Sequence, residues 1–458
     1  MAGVVAKDLD MSCGTGANAT APSPAIAPGV EALDAARVAR EVAARGPDAR
    51  ITRWVAGFDA PFFQAGLAGY SDAAMRIVAR RHGAPLCVTE ALLDRMLLGG
   101  GRGFDKADLV LQDERLVAEN LPCSNEDFPL AGQIIGADPA EMAASALKML
   151  EQGRRHDREY REMAYGTGKQ PVHPDTRWRW AEGAAVAGGA VATAAGAGAA
   201  GAGAAGAGAG AAGAVDRTFS CIDVNLACPV KKIDRKHRGG HWLTDAEGAI
   251  VILKAVRDAV PSDVACTVKL RRAYDDTPEM ARQFERVFDA SRDLGYAWAT
   301  VHARTVEQRY VGPSRWDLLK SIVARHRDFP VFGSGDIWTA ADIFLMIGYC
   351  GVVGASVARG AIGNPWIFKQ ARQMMAGEAP SAPTLAEQRE VLRQHFDLSV
   401  AINGEQNAGK LMRKFGIKFA QHHPRPAEVK ARMIGVNRTV DWLAVLDELY
   451  LEQPGEGN

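Results

Sequence analysis

The chain lacks several features that would have narrowed its class at once. It has no C-x-x-C pair: seven cysteines stand alone at positions 13, 87, 123, 221, 228, 266 and 350. An odd, scattered set argues against a disulfide framework or a zinc site and for a reducing compartment. No apolar run reaches the roughly 18 residues of a membrane span, and the N-terminus lacks the charged start and apolar core of a secretion signal. Net charge is zero, from 54 basic and 54 acidic residues. That excludes a globally basic polyanion binder but leaves room for local basic patches. The expectation is a soluble cytoplasmic protein without metal or membrane association, and a monomer, since no protein partner is evident.

Core-forming residues are also missing from two stretches. Residues 181–214 are Ala or Gly at all but four positions. Such a segment has almost no side chain to bury against its ordering entropy. It forms the centre of an insertion placed at about 154–216, read as a passenger because long surface loops cost little extra closure entropy. Residues 1–57 are rich in Ala, Gly and Pro with no sustained period, and are expected to be a disordered extension.

What remains is regular. Eight short apolar runs alternate with helix-length amphipathic segments: PFFQAGLAG (61–69), LCVTEALL (86–93), PLAGQIIG (129–136), CIDVNLAC (221–228), CTVKLRR (266–272), WATVHART (298–305), PVFGSGDI (330–337) and GVVGASVARG (351–360). Alternation of this kind indicates a parallel sheet. With the insertion removed, the span 58–370 has about the 250 residues of a (β/α)8 TIM barrel. Beyond it the pattern is helical only, opening with a capping box at Thr384 and Glu387. An all-helical C-terminal domain is expected over 384–452.

Reactive side chains of a barrel sit at the C-terminal ends of its strands. Here those ends bring Gly66, Leu67 and Ala68; Gln133; Asn225 with Cys228; Lys269; and His302 with Arg304. Two glycine loops, Ser334-Gly335-Asp336 and Ala358-Arg359, follow strands seven and eight, where barrels bind phosphate through backbone N–H groups. Two basic patches complete the inventory. KKIDRKHRGG (231–240) carries five Lys or Arg against one Asp, and 410–433 carries seven against one Glu. Lys410, Arg413 and Lys414 share one helical face, which suits a polyanion held across both domains. Taken alone, Cys228 would more often be a structural thiol and the basic face a solvated surface. The neighbours Asn225, Pro229, Lys231 and Lys232 favour catalysis for the thiol.

The motifs AGLAGYSD, VTEALL, AGQIIG, DVNLACPVKKI, RGGHWL, TVKLR, TVHART, GSGDI and ARGAIGNPWIF together resemble the tRNA-dihydrouridine synthases, which are FMN-dependent. The resemblance implies reduction of the uracil C5–C6 bond of a D-loop uridine in tRNA, with NADPH or NADH as reductant. It implies Cys228 as proton donor, and Gly66, Leu67 and Ala68 as flavin contacts. Gln133, Lys269 and His302 match flavin-contacting positions, and Ser334, Gly335, Asp336, Ala358 and Arg359 match the phosphate loops. The chemistry of the reaction assigns Asn225 to an edge of uracil and Arg304 to substrate oxygen or phosphate. It assigns Lys231, Lys232 and Lys236, with Lys410, Arg413 and Lys414, to the RNA backbone. The sequence departs from the family pattern at Gly66, where Pro is usual, and at Ser334, where Asn is usual; weaker flavin binding is the expectation. Two alternatives stay open: a flavin-dependent free-pyrimidine oxidoreductase of the dihydroorotate or dihydropyrimidine type, and a non-catalytic RNA-binding barrel. The basic tail favours RNA over a free base.

Overall fold

The computed structural model describes residues 29–99, 125–153 and 219–451. Among them nine strands form one sheet: β1 (Phe62–Gln64), β2 (Cys87–Val88), β3 (Leu92–Leu93), β4 (Leu130–Ile135), β5 (Cys221–Leu226), β6 (Ala265–Arg271), β7 (Trp298–His302), β8 (Val331–Ser334) and β9 (Gly354–Val357). All pairings are parallel, and β1 pairs with both β2 and β9, so the sheet closes on itself. Both β2 and β3 pair with β4, at Cys87↔Leu130 and Leu92↔Ile134. They are two halves of one stave, interrupted at Thr89–Ala91. The ring therefore has eight staves, as the eight apolar runs predict, with β8 and β9 as the seventh and eighth.

The strands read as continuous apolar runs because they are covered on both faces. β1, β4 and β5 are buried at every position. Helices return the chain from one stave to the next, and the residues that start them are capping residues. Asp72, Asp245, Thr277 and Thr339 each accept a backbone N–H of the helix that follows. This satisfies donors that the first turn leaves unpaired.

The expected disorder of 1–57 is corrected where the chain is described. Ala35–Arg45 is a helix capped by Asp34, with Val38, Ala39 and Val42 packed inward. A Cβ at Gly348 would lie 2.9 Å from Val38, so the glycine is what lets the two helices meet. Downstream, Ile51, Val55 and Phe58 are buried and close the bottom of the barrel. Phe58 and Phe63 both meet Phe332 edge-on, with centroids 6.0 Å and 5.0 Å away. A barrel needs an apolar plug at that end, and three residues supply it. Residues 1–28 and the predicted insertion at 154–216 lie outside the described residues. The helix Pro139–Gly153 ends, and β5 begins, at that same bottom face.

The C-terminal region is helical, as expected: Leu385–Asn403, Glu405–Phe419, Pro426–Ile434 and Thr439–Leu449. Its first helix packs on the barrel helix Ala73–Arg81, where Arg81 donates to Gln394 at 3.1 Å. Among the described residues no helix is long and apolar enough to cross a membrane.

Candidate active site

The β4–β6 side of the rim is built from inward-pointing polar residues at alternate strand positions. Thr267 Oγ1 donates to Asp223 Oδ1 at 2.6 Å, and Gln133 Nε2 donates to Asp223 Oδ2 at 2.7 Å. Asn225 Nδ2 donates to Gln133 Oε1 at 2.8 Å, and the Ala227 N–H donates to Asn225 Oδ1 at 2.9 Å. Asn225 was expected to meet uracil. Each end of its amide makes one hydrogen bond, it is 8% exposed, and it holds the loop that carries Cys228, three residues on. Gln133 is bound at both ends as well, and lines a cavity with Gly66 and Lys269.

Cys228 is half-buried, whereas Cys87, Cys221, Cys266 and Cys350 are buried; Cys13 and Cys123 lie outside the described residues. Burial pushes the Cys228 thiol above its ordinary value, against a smaller opposing pull from a backbone hydrogen bond and Arg271. The thiol is therefore protonated at neutral pH. Its loop is tied from behind. Arg271 donates to the Ala227 carbonyl at 2.9 Å and to the Thr305 carbonyl at 2.8 Å, and the Gly240 N–H donates to the Cys228 carbonyl at 3.1 Å. Gly239 has φ +59, and a Cβ there would lie 2.8 Å from that of Cys228, so only glycine fits.

Lys269 projects from β6 into the same mouth. Its ammonium makes no hydrogen bond or ion pair among the described residues. Burial lowers its pKa to about 8, with Asp223 acting in the opposite direction.

The β7–β9 side is different. Arg304, 2% exposed, donates to Asp336 Oδ1 and Oδ2 at 2.6 and 2.8 Å and to the Gly312 carbonyl at 2.6 Å. Asp336 also accepts the Ser314 N–H at 2.7 Å. Arg304, expected at substrate oxygen or phosphate, and Asp336, expected in a phosphate loop, form an internal pin through their side chains. Arg304 also donates to the Gly312 carbonyl through Nε at 3.0 Å, so most of the guanidinium is engaged within the protein. His302 stands 3.3 Å from Arg304; burial first, then Arg271, Lys269 and other cations, hold its imidazole neutral. Gly335 and Asp336 have φ +108 and +56. A Cβ at 335 would lie 2.4 Å from Ser314 Oγ, so this turn requires glycine. Ser334 is buried at the end of β8. Past the half-buried Ala358, Arg359 lies between the rings of Tyr310 and Trp338, at 4.6 and 4.8 Å.

At the first loop, a Cβ on Gly66 would lie 2.4 Å from the Thr89 carbonyl. Glycine there lets the backbone press against the second stave. The Leu67 N–H is taken by Ser71 Oγ at 2.8 Å, and Ala68 is exposed. Of the basic residues, Lys231 and Lys236 are exposed beside the thiol loop, and Lys232 lies in the same short helix, Lys231–Asp234. Lys414, expected at the RNA backbone, docks on the barrel. Its Nζ donates to the Gly69 carbonyl and lies over the rings of Tyr70 and Phe415 at 5.0 and 5.2 Å. Arg413 reaches toward Asn437 at 3.5 Å, and Lys410 is exposed. No group of three or more metal-ligating side chains exists among the described residues.

Asp223, Thr267 and Arg271 escaped the sequence reading. A signal for them was present: they are polar residues at inward, alternate positions of otherwise apolar strands.

A closed eight-stave parallel barrel, with a protonated thiol and an unpartnered lysine at the C-terminal rim, defines a (β/α)8 barrel protein with its site in the usual place. The family model described as "Dihydrouridine synthase (Dus)" matches residues 200–453, more than half the chain, and the chain belongs to that family. It is 32% identical over 233 residues to the "Probable tRNA-dihydrouridine synthase" of Mycobacterium tuberculosis (strain CDC 1551 / Oshkosh), covering 50% of this chain and 58% of that protein. The protein of the same description from Treponema pallidum (strain Nichols) is 30% identical over 233 residues, 50% of this chain and 68% of that one. The "tRNA-dihydrouridine synthase B" of Shewanella oneidensis is 32% identical over 210 residues, 46% and 61% of the two chains. The match thus spans 58% of the length of the mycobacterial relative.

Proposed function

We propose that this protein reduces the C5–C6 bond of a D-loop uridine in tRNA, with FMN as cofactor and NADPH or NADH as reductant. The observation that carries the reading is the Cys228 thiol, held protonated at the barrel rim in a chain of this family. The residues present fit a flavin. Lys269 is a cation without a partner in the barrel mouth, suited to the electron-rich edge of a reduced ring, and Gln133 presents an amide beside it. The glycine turn at Gly335 and the Arg359 guanidinium supply donors for a phosphate. When bound, FMN supplies the hydride that C6 of uracil accepts.

The protein's own part is acid chemistry and grip. Cys228 gives a proton to C5 as charge develops there; a positioned acid of this kind contributes about 10²–10⁴-fold. Raising the thiol pKa is what this role needs, since a thiolate has no proton to give. Asn225 and Arg271 hold the loop so that the thiol faces the mouth. The target base must leave its stack to reach that point. Lys231 and Lys236 beside the thiol, and Lys410 on the helical region, are exposed cations for the flanking phosphates.

The test uses purified protein, unmodified tRNA transcript and NADPH, with dihydrouridine counted by mass spectrometry of the digested RNA. Wild type should form dihydrouridine, and Cys228→Ala about 10²-fold less or lower still. Product from free uridine with none from tRNA would replace this reading with the free-pyrimidine oxidoreductase. RNA binding without any reduction would leave a non-catalytic barrel.

A further inference from the structure

The hydrogen-bonded side chains below the thiol have a direction that can be deduced from one end. The Ala227 N–H can only donate, so the Asn225 atom 2.9 Å from it is the oxygen. Asn225 must then turn its Nδ2 to Gln133, 2.8 Å away, whose facing atom is Oε1. Gln133 is left with Nε2 pointing at Asp223, 2.7 Å away, where it needs an acceptor. Asp223 is that acceptor, 5% exposed, its other oxygen taken by Thr267 at 2.6 Å. A buried carboxyl is costly in an apolar strand unless its oxygens are engaged, and here both are.

We propose that Asp223 is a positioning residue for Cys228: by accepting from Gln133 it holds both amides in one orientation, keeps the Ala227 N–H capped and sets the thiol at the rim. Asp223 touches neither uracil nor the reacting atoms. If residue 223 cannot accept, the Gln133 amide is free to turn over. Its Nε2 then meets Asn225 Nδ2, donor against donor, and the Ala227 cap is lost. Only the consequence for turnover rests on the proposed function; the placement of the thiol does not.

Cys228 can be read directly, by timed alkylation of the full-length protein with iodoacetamide and peptide mass spectrometry that separates it from the other cysteines. Asp223→Asn keeps an oxygen for Gln133 and turns its Nδ2 to the Thr267 hydroxyl. Asp223→Leu keeps the bulk and removes the acceptor. The expected result is a labelling rate at Cys228 raised about tenfold in the Leu variant and within about twofold of wild type in the Asn variant. Equal rates in Leu and wild type would overturn the proposal, and so would an Asn variant labelled as fast as Leu. Should Asp223→Leu fail to fold, Gln133→Leu removes the next link while leaving Asp223 with Thr267. It should show the same rise, and an unchanged rate there would overturn the proposal equally. The expected labelling pattern in a protein that makes no dihydrouridine would sink the proposed function and leave the role of Asp223 standing.

Discussion

The two halves of the barrel rim each bury a cation at the end of a strand, and they treat it in opposite ways. On the β7–β9 side, Arg304 is matched by Asp336, with both oxygens of the carboxylate on one guanidinium nitrogen. On the β4–β6 side, Lys269 has an acid in its vicinity, Asp223, but no direct partner among the described residues, and burial lowers its pKa to about 8. A cation that is fully paired is part of the wall. One that is desolvated and unpaired is poised to bind something negative, at a standing cost to the folded protein. The same residue class thus braces the wall on one side and, among the described residues, stands without a direct partner on the other.

The sharpest break of that contrast is Arg304→Ala. Removing one partner of a buried pair should cost about 3–5 kcal/mol of stability, measured by denaturant unfolding. Replacing both, as Arg304→Met with Asp336→Asn, which tolerates the positive φ and can still accept the Ser314 N–H, should return part of it; no recovery would mean the pair does more than brace the loop. Lys269→Met should leave stability unchanged or improved while lowering kcat/KM by about 10²-fold, as for loss of one charge-stabilising donor.

The pH profile sharpens the same point. Lys269 is charged below its folded value of about 8, so activity should fall as pH rises through that range. Cys228, raised above its ordinary value, should still hold its proton there. Asp223→Asn withdraws the charge that supports the lysine and should move this alkaline limb to lower pH. A limb that stays put would assign it to another group.

Smaller effects separate the basic residues. Gly66→Ala places a Cβ 2.4 Å from a carbonyl and should cost about 1–3 kcal/mol of stability through overpacking. Lys410→Ala should weaken tRNA binding uniformly and reduce its salt slope by about one. Lys414→Ala should loosen the contact between helical region and barrel, with a fall in thermal midpoint that Lys410→Ala does not share.

Much of this was legible beforehand, for identifiable reasons. Staves such as CIDVNL and ACTVKLR announce themselves because a strand covered on both faces must be apolar nearly throughout. Asn225 and Lys269 were legible as site candidates because reactive side chains of a barrel lie toward the C-terminal ends of its strands. Partnership was not legible. Arg304 meets Asp336 across 32 positions of sequence, and nothing in either local pattern records that the two are spent on each other. Nor could the plug be read from Ile51, Val55 and Phe58, because three apolar residues acquire meaning only from the hole they fill.

Gly69 is held from both directions. Its N–H donates to Glu90 on the second stave at 2.7 Å, and its carbonyl accepts from Lys414 on the helical region. A single residue therefore works as a keyed joint between the barrel and the helical region. Chimaeras exchanging the helical tails of related proteins should be more stable when the incoming tail offers a long basic side chain at 414 and the barrel an acid at 90, as read from their thermal midpoints. Glu90 and Lys414 add to the Arg81–Gln394 and Lys369–Glu387 contacts that match tail to barrel.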